Sequence, residues 1–165
     1  MNRFLWSLFV ITLVISATLI LSTESQLPPA VWTHFGPGGR ANGALMARDT
    51  YVALILALAI GVPLLVVASM VGIPRVAPRL LSRKIRDRVM NASKRAGTLD
   101  AMSGFAALVG SLVAGFIAGI HLVIVGAHAS VPPRLDNAVF VPVMLTFAVA
   151  LVAACVYYNH RCRRA

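Results

Sequence analysis

The chain has 165 residues, of which 59% are apolar and 12% charged, and a net charge of +10 at pH 7. That balance excludes an ordinary water-soluble domain, which is usually about 45–50% apolar and about 25% charged. All of the 15 Lys and Arg except Arg40, Arg48 and Arg134 lie at Arg3, in residues 74–102 or in the 159–165 tail.

Four stretches, residues 4–21, 51–73, 103–125 and 139–158, contain no Asp, Glu, Lys or Arg. Each is close to the ~20 residues that span a ~30 Å hydrocarbon layer as a helix. Lipid offers no partner to backbone N–H and C=O groups, so such stretches must be helical. The expected fold is an all-α integral membrane protein: a single four-span domain over residues 1–165. Lys and Arg resist translocation, so the basic segments mark the cytoplasmic side and both termini fall there. Orientation accounts for the charge excess, and nucleic acid is not an expected partner.

The first helix starts behind Arg3. Its run is longer than an ordinary signal core, and no small-x-small cleavage site precedes Glu24, so an uncleaved signal anchor is predicted. Trp6 marks its inner interface. Residues 22–50 then lie outside. Pro28 and Pro29 stop the helix, since proline lacks a donor and restricts its predecessor. Gly36, Gly38, Gly39 and the Asn42-Gly43 dipeptide supply turns. Val31, Trp32 and Phe35 favour an ordered cap over a solvated tether. Asp49-Thr50 can cap the second helix. Pro63 interrupts that helix near its middle, freeing the carbonyl of Ala59 and predicting a kink.

In the inner connection Leu81, Ile85 and Val89 recur every four residues among Arg79, Arg83, Lys84, Arg86 and Arg88. This reads as a short basic amphipathic helix lying on an anionic inner leaflet; a docking surface for a cytoplasmic partner is the alternative. The third helix carries a small-residue ridge, Ala107, Ser111, Gly115 and Gly119. The Gly115/Gly119 pair suits close approach, within the bundle or in a homodimer. Residues 126–138 return outside, and Pro142 sits in the first turns of the last helix. Tyr157 and Tyr158 mark the inner interface, where Cys155 and Cys162 are expected to stay reduced.

This threading brings His34, His121 and His128 toward the outer face, with Glu24, Asp49 and Asp136. His121 lies within a span, where an ionisable side chain is a functional hypothesis by default. Its structural alternative is a neutral ring bonded to a neighbouring helix. A divalent-metal site built from His34, His121 and one of His128, Asp49 or Asp136 is a further alternative. The sequence has no HExxH-type ligand motif, nucleophile–base pair or phosphate-binding loop, so neither a cofactor nor a catalytic residue is predicted.

Leu27-Pro28-Pro29-Ala30-Val31-Trp32-Thr33-His34-Phe35-Gly36, then Gly39-Arg40-Ala41-Asn42-Gly43 and Arg48-Asp49, form a pattern. Over residues 24–65 it resembles a bacterial membrane domain of unknown function found at the N-terminus of SdpI-like proteins. The namesake of that family gives immunity to a secreted killing factor and takes part in signalling. The resemblance implies a bacterial inner-membrane protein. It singles out Pro28, His34, Phe35, Gly39, Asn42, Gly43 and Arg48 as shared positions without giving any a chemical role. The ordered-looking loop and the missing catalytic set point to a non-enzymatic protein that senses, binds or blocks an extracytoplasmic peptide or small ligand at this loop. The alternatives are a small transporter or transporter accessory using Pro63 and His121, and a metal-dependent membrane enzyme.

Overall fold

The computed structural model describes residues 2–164, with side chains as far as Arg161; the Cys162 thiol lies outside the described residues. The element order is α1 (Asn2–Thr23), β1 (Ala30–Trp32), β2 (Leu45–Ala47), α2 (Arg48–Val76), α3 (Arg83–Met90), α4 (Ala92–His128) and α5 (Asn137–Arg164). The chain is all-α apart from one short hairpin. Four helices (α1, α2, α4 and α5) are long and apolar enough to cross a membrane.

α4 is the hub, packing against α1, α2, α3 and α5. Half of its apolar window is buried, 50%, against 6% in α5, which rests on α4 and turns the rest of its surface outward. One core cluster joins Ile20, Val31, Tyr51, Ile55 and Ile124 beneath the hairpin. A second joins Leu5, Phe9, Val67 and Ala107 toward the other end. Between them Gly110 brings α4 against α1 and α2. A Cβ there would stand 2.6 Å from Val67 Cγ2 and 2.7 Å from Phe9 Cε2. On the opposite flank the α4–α5 contact relies on ring stacking, Phe116 on Phe147 at 4.3 Å and Phe105 on Tyr158 at 4.4 Å. A cavity of about 410 Å³ remains there, lined by residues that include Gly115, Gly119, Val143 and Phe147.

The helices run past the apolar stretches that reveal them. α4 begins at Ala92 instead of residue 103. Asn91 caps it, its Oδ1 accepting from the Ser93 amide at 3.0 Å and the Ser93 hydroxyl at 2.7 Å. No proline lies between 92 and 102 to stop the helix. α2 starts at Arg48 with no side-chain cap, so Asp49-Thr50 do not serve as one. Strand β2 leads directly into it, the Arg48 amide donates to the Pro29 carbonyl at 2.9 Å, and Asp49 sits in the first turn. α2 continues as one helix through the buried Pro63 and through Pro74.

α3 is amphipathic, but its apolar face turns inward. Val89 is 3% exposed, Ile85 is half-buried, and the helix packs on α4. Burial against the bundle takes the place of contact with a lipid surface for that face. Arg79, Arg83 and Lys84 are exposed, while Arg86 and Arg88 are half-buried.

Candidate functional site

The hairpin follows from local chemistry. Leu27 and Val31 are buried beneath it, and proline at 28 and 29 holds the approach extended. β1 and β2 pair antiparallel, with Val31 opposite Met46. The tip closes through Gly39 N–H to Gly36 O at 3.0 Å, Gly36 N–H to Arg40 O at 2.8 Å and Asn42 N–H to His34 O at 3.0 Å. Gly39 and Gly43 have φ of 77° and 90°, values that side-chain-bearing residues rarely adopt. A Cβ on Gly39 would also collide with the Leu135 carbonyl.

The α4–α5 connection is stitched to this hairpin. Arg40 and Arg134 form an antiparallel bridge, the Leu135 amide donates to Gly39 O at 2.8 Å, and Arg134 Nε donates to Gly38 O at 3.3 Å. His128 fastens the hairpin to α4. Its Nε2 accepts from the Trp32 amide at 2.9 Å, which leaves the proton on Nδ1 to be donated to Ile124 O at 2.8 Å. Phe35 meets the same ring edge to face at 6.1 Å. Two connections some hundred residues apart thus make one platform.

Below it, His121 is fully buried. Nε2 lies 2.8 Å from Thr23 Oγ1 and Nδ1 lies 3.1 Å from Tyr51 Oη. Thr23 Oγ1 is also 2.7 Å from Leu19 O, a carbonyl that can only accept. With a neutral ring the directions follow: Tyr51 donates to Nδ1, Nε2–H donates to Thr23, and Thr23 donates to Leu19. The rings of His121 and Tyr51 also stack, with centroids 5.7 Å apart. The imidazole ties α1, α2 and α4 together, both of its nitrogens within hydrogen-bond distance of a hydroxyl. Thr23 and Tyr51 were not singled out by sequence; their spacing from His121 carries no signal.

The other predicted positions fall as follows. His34 is exposed on the hairpin, Phe35 is half-buried, and Pro28 is half-buried below. Asn42 and Gly43 form the turn before β2. Arg48 Nε lies 3.7 Å from Asp49 Oδ1, too long for a hydrogen bond. A Cβ on Gly119 would lie 3.3 Å from Val143, and one on Gly115 would lie 4.0 Å from Thr12, so both glycines face helices of their own bundle. Cys155 is exposed and unbridged. No group of three metal-ligating side chains occurs among the described residues, and His34, His121 and His128 are not brought together.

At the opposite end lies an unpredicted cluster. Asp100 pairs with Arg161 at 3.5 Å, and the Asn2 amide donates to the Asp100 carbonyl at 2.8 Å and to its carboxylate. Trp6 Nε1 donates to Ser103 Oγ at 3.1 Å. No family model matches this chain, nor does any curated protein or solved structure.

Proposed function

We propose that the chain is a four-span membrane protein that recognises an extracytoplasmic ligand with its stitched cap and performs no chemistry of its own. In this reading the cap faces away from the cytoplasm, and Asp100, Arg161 and the basic α3 face it, following the Lys and Arg asymmetry. The carrying observation is the platform itself: Gly39, Arg40, Arg134 and His128 are engaged in holding one loop to another, the rigid-scaffold arrangement that binding loops need. The resemblance of residues 24–65 to SdpI-like proteins agrees with an immunity or signalling role. A transporter would draw on His121, yet both of its nitrogens are bonded to neighbouring helices.

Two measurements test this. In a Cys155→Ser, Cys162→Ser background, a cysteine at Gly38 should react with a membrane-impermeant maleimide in intact cells, and one at Arg161 only after permeabilisation. The reverse pattern rejects the orientation. A photoreactive phenylalanine at exposed His34 should give a discrete adduct in the native host, whereas one at lipid-facing Leu145 should not. Identical products from both sites would reject recognition at the cap.

A further inference from the structure

The bridge between Arg40 and Arg134 sets two guanidinium side chains on the same face of a two-stranded pairing. Like charges placed directly opposite destabilise such a pairing. Among the described residues neither arginine forms an ion pair. The nearest acidic neighbour in sequence, Asp136, turns Oδ1 to the Ala138 amide at 2.8 Å, at the start of α5. The two arginines and Trp32 line one cavity of about 580 Å³ whose wall contains no Asp or Glu. Arg134 commits Nε to Gly38 O, which leaves its terminal nitrogens available, and the Arg40 side chain makes no hydrogen bond among the described residues. The polar side chains of the lining residues are thus mainly donors: two guanidiniums and an indole N–H, with the Ser130 hydroxyl beside them.

Such a wall calls for a ligand with several acceptor oxygens and negative charge. A carboxylate offers two oxygens in one plane; free phosphate offers four in a tetrahedral array, and a phosphodiester headgroup keeps two unesterified oxygens, one for each guanidinium, with ester oxygens beside them. Position points the same way. Arg134 precedes α5 by a few residues, Val139 and Val141 begin its exposed apolar face, and Val131 on the cavity rim is 98% exposed. In the orientation above, this places the pair at headgroup depth, beside an apolar rim.

We infer that Arg40 and Arg134 form a clamp for a phosphate oxyanion, presented by a phospholipid headgroup or as free phosphate. The inference rests on the recognition reading and names the chemistry of that site. The repulsion between the two arginines holds the clamp open; the bound oxyanion converts it into attraction.

The test uses the full chain in a maltoside micelle with Trp6→Phe, so that Trp32 is the remaining one of 2 tryptophans. Its emission is followed during titration with inorganic phosphate and, separately, with dihexanoylphosphatidylglycerol. A saturable change is expected, weakened about 10-fold or more by Arg40→Gln or Arg134→Gln and unaltered by Arg79→Gln on the opposite end. Saturation with both probes assigns the site to the oxyanion itself; saturation with the lipid only assigns it to a headgroup. No saturation with either, or saturation indifferent to both arginine substitutions, overturns the clamp. If Arg134→Gln lowers the thermal midpoint, Arg40→Gln decides. Repeating the His34 photocrosslink in the Arg40→Gln, Arg134→Gln protein separates the two claims. An adduct that survives there, when the protein with both arginines intact binds neither probe, rejects the clamp and leaves recognition standing.

Discussion

The two flanks of α4 are built differently. Toward α1 and α2, Gly110 leaves no room for a methyl group, and His121 bonds both neighbours through a satisfied polar chain. Toward α5 the contact is stacked rings around a cavity of about 410 Å³. The unit is therefore a tight three-helix core with a fourth helix leaning on it. In lipid, where apolar burial gives no advantage over contact with acyl chains, close backbone approach and hydrogen bonds decide which helices associate firmly.

Substitution can break that contrast. Gly110→Val should have the largest effect, about 3 kcal/mol of destabilisation, because Val67 and Phe9 must both move; loss of the folded fraction in steric trapping checks it. Gly39→Ala should cost about 2–3 kcal/mol through its positive φ and the Leu135 carbonyl, with protease sensitivity rising at the cap and not at α3. His121→Phe keeps the ring but strands the Tyr51 hydroxyl, and should cost about 2 kcal/mol. Restoration by the further change Tyr51→Phe would show that the unpaired hydroxyl is the cause. Gly115→Ala, at an exposed position of α4 where the nearest atom is Thr12 Cγ2 of α1 at 4.0 Å, should stabilise by about 0.5 kcal/mol, since helix propensity improves. Arg161→Ala should change stability by at most about 1 kcal/mol, and less at high salt. A penalty for alanine at Gly119, which faces Val143 of α5, equal to that for alanine at Gly110 would erase the distinction between the flanks.

The four long helices were legible because uncharged apolar runs have few other structures available. Their ends were less so: α4 extends back to Asn91 through a polar segment whose only mark was a capping asparagine. The hairpin escaped because its strands are three residues each and include Ala30 and Ala47, weak strand formers. The Asn42-Gly43 dipeptide pointed to a turn without naming its partners. His121 was readable as a buried polar residue, and one of its two permitted readings, a ring bonded to a neighbour, matches its geometry. Its partners were not readable, because contacts across 98 and 70 residues leave no periodicity. The inward turn of α3 was invisible for the same reason: an apolar stripe fits lipid and protein equally well.

The two ends of α5 are moored by bonds of different kinds. Near Asn137 the mooring is main-chain, Leu135 to Gly39, inside a pairing that side-chain rotation cannot undo. Near Arg161 it is made by side chains, among them a partly solvated charge contact with Asp100 and the stack of Tyr158 on Phe105. Side-chain contacts can be released by rotamer changes that leave a main-chain pairing intact, so the cap end is the fixed end of this helix.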